Sequence, residues 1–158
     1  MSTKVIDLES LVSELEDRRG AGRTVALTNG AFDLLHVGHV RYLHGANRLA
    51  DILVVAVNSD DSVRRLKGDD RPIYPENERL ELVAALEVVD YVVLFDQDDV
   101  RDVIRQLRPD VHVKGTDYEP ETIPERDEVL AYGGRVAVAG DPKDHSTSEI
   151  LKKFPKGN

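Results

Sequence analysis

Two histidines in the run His36-Val37-Gly38-His39 are the residues whose spacing first suggests chemistry. Positions three apart on a helix put both imidazoles on one face of a single turn. The stretch before them, Asn29-Gly30-Ala31-Phe32-Asp33, follows an apolar run at 24–28 and reads as a strand leaving its sheet for the start of a helix. Free N–H groups and the positive dipole end make such a start an anion site. Gly30 can bring the backbone close to a ligand. Gly38 leaves room beside the imidazoles for something bulky, such as a nucleotide. Two other readings compete: histidines that merely cap or pack a helix start, and a metal pair with Asp33 as third ligand. The metal pair lacks a further histidine or carboxylate at a useful spacing.

Polar residues recur beyond the later apolar runs. Arg64, Arg65, Lys67 and Arg71 put four cations into eight residues of an acidic chain. Arg64 and Arg65 read as a solvated helix end, whereas Lys67, beside Gly68, offers a compact ammonium suited to a moving phosphate. Arg79 opens a helix near acids, Glu76 and Asp90, which are its default partners. Lys114-Gly115-Thr116-Asp117 closes another apolar run, and a lysine there is costly without an anion. Asp117 supplies that anion or accepts bonds from sugar hydroxyls. Ser146, Thr147 and Ser148 open the last helix, either as ordinary caps or as a second phosphate cradle.

The elements that must hold these residues alternate regularly. Helices are expected at 7–19, 36–50, 60–66, 75–87, 100–107, 124–132 and 146–154. Strands are expected at 24–28, 51–58, 91–95, 111–114 and 135–139. Strands apolar on both faces and separated by helices imply a parallel sheet covered on each side. The fold class is therefore α/β: one Rossmann-like, doubly wound domain with a five-stranded parallel sheet in order 3-2-1-4-5. Such sheets bind ligands beyond the carboxyl ends of their strands, where strand order reverses. Residues 1–22 read as a peripheral helix packed on a domain spanning 23–158.

Composition narrows the function. The chain has 158 residues, 41% hydrophobic and 32% charged, enough for one core. It has no cysteine, which removes disulfides, thiolate catalysis and cysteine–zinc sites. A net charge of -9 argues against nucleic acid and anionic membrane as partners. No apolar run reaches membrane-span length, and the start Met1-Ser2-Thr3-Lys4 lacks a signal-type apolar core, so a cytoplasmic location is expected. Neither a dinucleotide Gly-x-Gly-x-x-Gly loop nor a P-loop is present.

Asn-Gly-Ala-Phe-Asp-Leu-Leu-His-Val-Gly-His resembles the HxGH signature of the cytidylyltransferase-like nucleotidyltransferases, and the resemblance runs from about Thr24 to Lys153. Within that family the chain resembles the adenylyltransferase half of the bifunctional heptose kinase/adenylyltransferases, or its free-standing version. The shared stretches are Ala-Val-Asn-Ser-Asp, Arg-Leu-Lys-Gly-Asp, Arg-Pro-Ile, Ala-Ala-Leu-Glu, Val-Lys-Gly-x-Asp-Tyr and Gly-Gly-x-Val. The resemblance implies transfer of AMP from ATP to D-glycero-β-D-manno-heptose 1-phosphate, giving ADP-heptose and pyrophosphate. It implies catalytic roles for His36, His39 and Lys67. It assigns nucleotide or phosphate contacts to Asn29, Gly30, Ala31, Phe32, Gly38, Arg79, Ser146, Thr147 and Ser148. Asp33, Lys114, Gly115 and Asp117 are expected in the sugar-phosphate or nucleotide pocket. Mg2+ is expected with ATP, held mainly by phosphates and water with Asp33 as a helper. A homodimer through the Tyr74–Leu86 region and a separate sugar kinase upstream are further expectations. The resemblance also leaves rivals: a glycerol-3-phosphate cytidylyltransferase, an FAD-synthase-like enzyme, and a nucleotide-binding module without turnover. Asp141 stands near the place where the glycerol-phosphate enzymes carry an arginine, which weakens the first of these.

Overall fold

The computed structural model describes residues 2–142 and 146–155; the outer limits of the expected division, Met1 and residues 156–158, lie outside them, as do residues 143–145. Five parallel strands form one sheet: β1 (Val25–Gly30), β2 (Ile52–Asn58), β3 (Tyr91–Phe95), β4 (Val111–Lys114) and β5 (Arg135–Val138). Their order is β3-β2-β1-β4-β5, as the sequence implied. Every residue of β2 is buried, which explains why its run Ile-Leu-Val-Val-Ala-Val shows no polar alternation.

Among the described residues seven helices flank the sheet: α1 (Leu8–Gly20), α2 (Val37–Asn47), α3 (Asp60–Lys67), α4 (Glu76–Ala84), α5 (Arg101–Leu107), α6 (Arg126–Ala131) and α7 (Thr147–Lys152). One apolar cluster joins Leu11 and Leu15 of α1 to Val103, Ile104 and Leu107 of α5 and Val129 of α6. The other face carries Leu43 and Ala46 of α2 with Leu80 and Val83 of α4. The segment before α1 also joins the sheet edge, where Ile6 N donates to Val92 O at 3.0 Å and Val92 N to Lys4 O at 2.9 Å. Asp7 starts α1 by accepting a bond from Ser10 N at 2.9 Å.

Several boundaries differ from expectation. α2 ends at Asn47 rather than residue 50, and α4 ends at Ala84 rather than 87. α6 begins at Arg126, because Pro120–Thr122 form a separate 3-10 turn before it. The difference that matters most is at β1, which continues two residues past Thr28. Asn29 and Gly30 pair with Ala56 and Val57 of β2, while pairing to β4 stops at Leu27 and His112. β1 therefore stays bonded on one side and parts from β4 on the other. That parting opens the crevice at the point where strand order reverses.

Candidate functional site

A cleft of about 390 Å³ lies over this opening, a size suited to a small-molecule ligand. Its floor is the end of β1, from Asn29 to Phe32. Phe32 is buried and has a φ of 49°, an uncommon backbone for a bulky residue, which turns the chain from strand toward helix. Its ring sits so close to Gly30 that a Cβ there would meet it at 3.1 Å. A side chain at position 30 would make the Phe32 ring give way by a few tenths of an ångström.

His36 and His39 form the mouth of α2 and line the cleft. Their side chains and backbone cap one another. His36 Nδ1 accepts from Gly38 N at 3.1 Å, and His39 Nδ1 accepts from His36 N at 3.3 Å. The rings stack at 3.9 Å between centroids, and His39 also meets the Phe32 ring at 5.3 Å. An imidazole that accepts through Nδ1 in its neutral form carries its proton on Nε2. The capping reading of this pair is met: the cap uses Nδ1 of each ring.

Lys67, the last residue of α3, lines the cleft from one side. Lys114, Gly115 and Asp117 line it from the end of β4, and Ser146, Thr147 and Ser148 from the start of α7. Ser146 Oγ accepts from Glu149 N at 3.1 Å, and Thr147 Oγ1 donates to Leu34 O at 3.4 Å, which ties this turn to the β1–α2 loop. α2 reaches the other wall closely. A Cβ on Gly45 would lie 3.0 Å from the Ala139 Cβ, and Gly140, at a φ of 99°, sits against Tyr42.

Two expected site residues have their polar atoms engaged within the protein. Arg79 is wholly buried and absent from the cleft lining. Its Nη1 donates to Ala31 O at 2.6 Å and Asn58 O at 2.7 Å, its Nε to Tyr74 O at 3.0 Å, and its Nη2 to Asp60 at 2.9 Å. As to the expected contact with triphosphate, the structure shows only that this guanidinium is engaged with carbonyls at the ends of β1 and β2 beneath the site. Asp33 does line the cleft, but its carboxylate is already engaged. It accepts from Ile73 N at 2.8 Å, Tyr74 N at 3.0 Å and Arg71 Nε at 3.0 Å. Burial pushes its pKa up, yet these backbone donors and Arg71 win and hold it below the usual value. Among the described residues no group of three or more histidines or carboxylates is arranged to hold a metal ion.

The structure adds residues that the sequence did not single out. Lys114 Nζ donates to Asn29 Oδ1 at 3.1 Å across the crevice and lies 3.7 Å from Glu125 Oε1. Glu125 Oε2 is 3.3 Å from His112 Nε2. Burial lowers the pKa of His112 and keeps it neutral, with Nε2–H donating to Glu125. Burial alone would raise Glu125, but His112 and Lys114 bring it down to about 2. Burial also lowers Lys114, against the pull of Glu125. Tyr42 donates from its hydroxyl to Val113 O at 2.5 Å, and burial, with Asp117 and Glu125 nearby, raises its pKa and keeps it neutral. Only the costly lysine at position 114 hinted at this network. Glu125 stands at the start of an expected helix, where it is the N-cap of α6, and His112 in an apolar strand, and neither spacing nor charge marks them.

With the geometry in view, three comparisons bear on the chain. The cytidylyltransferase-like family profile matches residues 27–153. Proteins called "Bifunctional protein HldE" are similar to it: that of Syntrophotalea carbinolica is 52% identical over 146 residues, and that of Cronobacter sakazakii 50% over 140. These matches cover 92% and 89% of this chain but 30% of each relative, so the chain spans less than a third of their length. A crystal structure of the lipopolysaccharide core biosynthesis protein from Thermoplasma volcanium GSS1 superposes with a TM-score of 0.66 at 31% identity, covering 77% of this chain and all of that one.

Proposed function

We infer the activity from one premise: this chain belongs to the cytidylyltransferase-like family. The reaction we propose is transfer of AMP from ATP to a sugar 1-phosphate with release of pyrophosphate. The acceptor in this reading is D-glycero-β-D-manno-heptose 1-phosphate and the product ADP-heptose. Support for the adenylyl reading comes from similarity to the HldE proteins and from the Arg-Leu-Lys-Gly-Asp and Val-Lys-Gly-x-Asp-Tyr stretches. Similarity to a protein titled for lipopolysaccharide core biosynthesis supports a surface-sugar product. The observation that carries the reading is a single cleft onto which the imidazoles of His36 and His39, Lys67, Lys114 and the Ser146–Ser148 turn all converge.

The chemistry asks little covalent work of the protein. A phosphate monoester with a second pKa of about 6 is largely dianionic at neutral pH. Its oxygen can attack the α-phosphorus in line with departing pyrophosphate without a general base. The protein's part is positioning and stabilisation of charge. In this reading the Nε2–H groups of His36 and His39 donate to phosphate oxygens where charge grows, beside the N–H groups that open α2. Lys67 and the hydroxyls of Ser146 and Thr147 hold the triphosphate tail. Asp117 receives sugar hydroxyls. Mg2+ would neutralise the triphosphate through phosphate oxygens and water, since the described side chains form no site of their own.

Residues 1–22 are proposed as a peripheral element of one nucleotidyltransferase domain, working in the cytoplasm. A separate sugar kinase would supply the acceptor. The proposed homodimer would use the Tyr74–Leu86 region, where Leu82 remains 40% exposed. The deciding experiment is pyrophosphate release with ATP and CTP, each against heptose 1-phosphate and glycerol 3-phosphate. Turnover with ATP and heptose 1-phosphate is expected. Preference for CTP with glycerol 3-phosphate would move the chain to another branch of the family, and tight ATP binding without pyrophosphate release would make it a nucleotide-binding module.

A further inference from the structure

The segment between α3 and α4 holds a cation that the reaction scheme above leaves unused. Residues 68–75 run past the cleft, and buried Asp33 grips them by the backbone of Ile73 and Tyr74. The same carboxylate takes the Nε–H of Arg71 at 3.0 Å. Arg71 lines the cleft, and its side chain is only 12% exposed. A guanidinium has five N–H donors in a planar fork. Asp33 engages the one on Nε, while among the described residues neither Nη group has a hydrogen-bond acceptor. A lysine could have paired with Asp33 equally well as a charge. What arginine adds is a second edge, and the Nη pair matches two oxygens of a phosphoryl group.

We propose that Arg71 is a phosphate-binding residue of this cleft, with Asp33 holding one edge of its guanidinium so that the Nη edge meets two oxygens of a bound phosphate. The proposal rests on the nucleotidyltransferase reading, and two phosphates of that reaction share the required chemistry: the triphosphate tail of the nucleotide and the phosphate of the sugar acceptor. Asp33 is a positioning residue in this arrangement. Its buried carboxylate fixes both the segment and the rotation of the fork, so the phosphate meets a donor pair that is already oriented.

The test is Arg71→Lys beside Arg71→Met. Lysine keeps the charge next to Asp33 and so the fold of the segment, but removes the second edge. The KM for ATP and the KM for heptose 1-phosphate are measured separately by pyrophosphate release, with Tm as the control for folding. Loss of a bidentate, charge-assisted contact is expected to raise a KM by about tenfold in Arg71→Lys, with Tm near that of the wild type. A rise confined to ATP assigns the triphosphate tail, and one confined to heptose 1-phosphate assigns the acceptor. A rise in both also supports a phosphate contact, at a point the two substrates share. Unchanged KM values, or a fall in kcat alone, would overturn the proposal and leave Arg71 as a strut for the segment. If the wild type itself releases no pyrophosphate, the enzymatic reading fails first. Calorimetry with ATP and with heptose 1-phosphate then still decides on Arg71: equal affinity for both ligands in wild type and Arg71→Lys sinks it, and about tenfold weaker binding of either in the variant sustains it.

Discussion

His36 and His39 each engage Nδ1 with the backbone at the mouth of the cleft they line. A side chain that caps a helix and also donates to a ligand has its rotamer and its proton fixed before the ligand arrives, which is what preorganisation requires. His39→Ala is expected to lower the rate of pyrophosphate release by about 100-fold, the loss typical of one preorganised donor. Its stability should fall by about 1 kcal/mol, the worth of one lost cap. A rate near that of the wild type would remove His39 from the chemistry. The spacing of the two histidines was legible in the sequence. That each would satisfy the helix start of the other was not, because it depends on the extended backbone of His36, at φ -140° and ψ 174°.

Arg79 shows how an element end is held. One guanidinium satisfies carbonyls leaving β1, β2 and the loop before α4, and pairs with Asp60 at the start of α3. Four segments, three of them carrying cleft residues, therefore share one buried cation. Arg79→Met keeps much of the volume but leaves these acceptors unpaired, so a loss of about 3 kcal/mol is expected in urea unfolding. Unchanged stability together with a raised KM for ATP would instead restore the triphosphate role that residue type and position first suggested. The sequence offered Glu76 and Asp90 as partners for this arginine. It uses neither, because its long side chain reaches inward past its own helix to carbonyls that water cannot satisfy.

Across the whole molecule, the chain from Asn29 through Lys114 and Glu125 to His112 links the central crevice to α6 and gives folding a pH dependence with a definite sign. The folded state keeps His112 neutral and Glu125 ionised. The unfolded chain takes up a proton on His112 below about pH 6.5 and on Glu125 below about pH 4.5. Unfolding thus binds protons, and acid favours it. The contribution of the pair is complete above about pH 6.5; the His112 part is lost first as pH falls, and the Glu125 part between about 4.5 and about 2. The urea midpoint should therefore fall between pH 7 and pH 5. His112→Gln, which can still donate to Glu125 but does not titrate, should flatten that interval. A variant with the wild-type slope would place the acid sensitivity elsewhere in the molecule.

Local pattern determined a great deal. Uninterrupted apolar runs such as Ile-Leu-Val-Val-Ala-Val mark strands covered on both faces, alternation with helices makes the sheet parallel, and the residues after β1, α3 and β4 stand out because their types are costly or strange in those places. Such signals are local, so a sequence carries them openly. Tertiary structure alone decided which polar groups face the cleft and which lie beneath it. Arg71 and Arg79 are both arginines flanking the same loop, yet one lines the cavity and the other is sealed under it. Nothing in their neighbours distinguishes them. The difference arises from which carbonyls the ends of β1 and β2 and the loop before α4 present to a guanidinium, and those are properties of chain segments brought together from far apart.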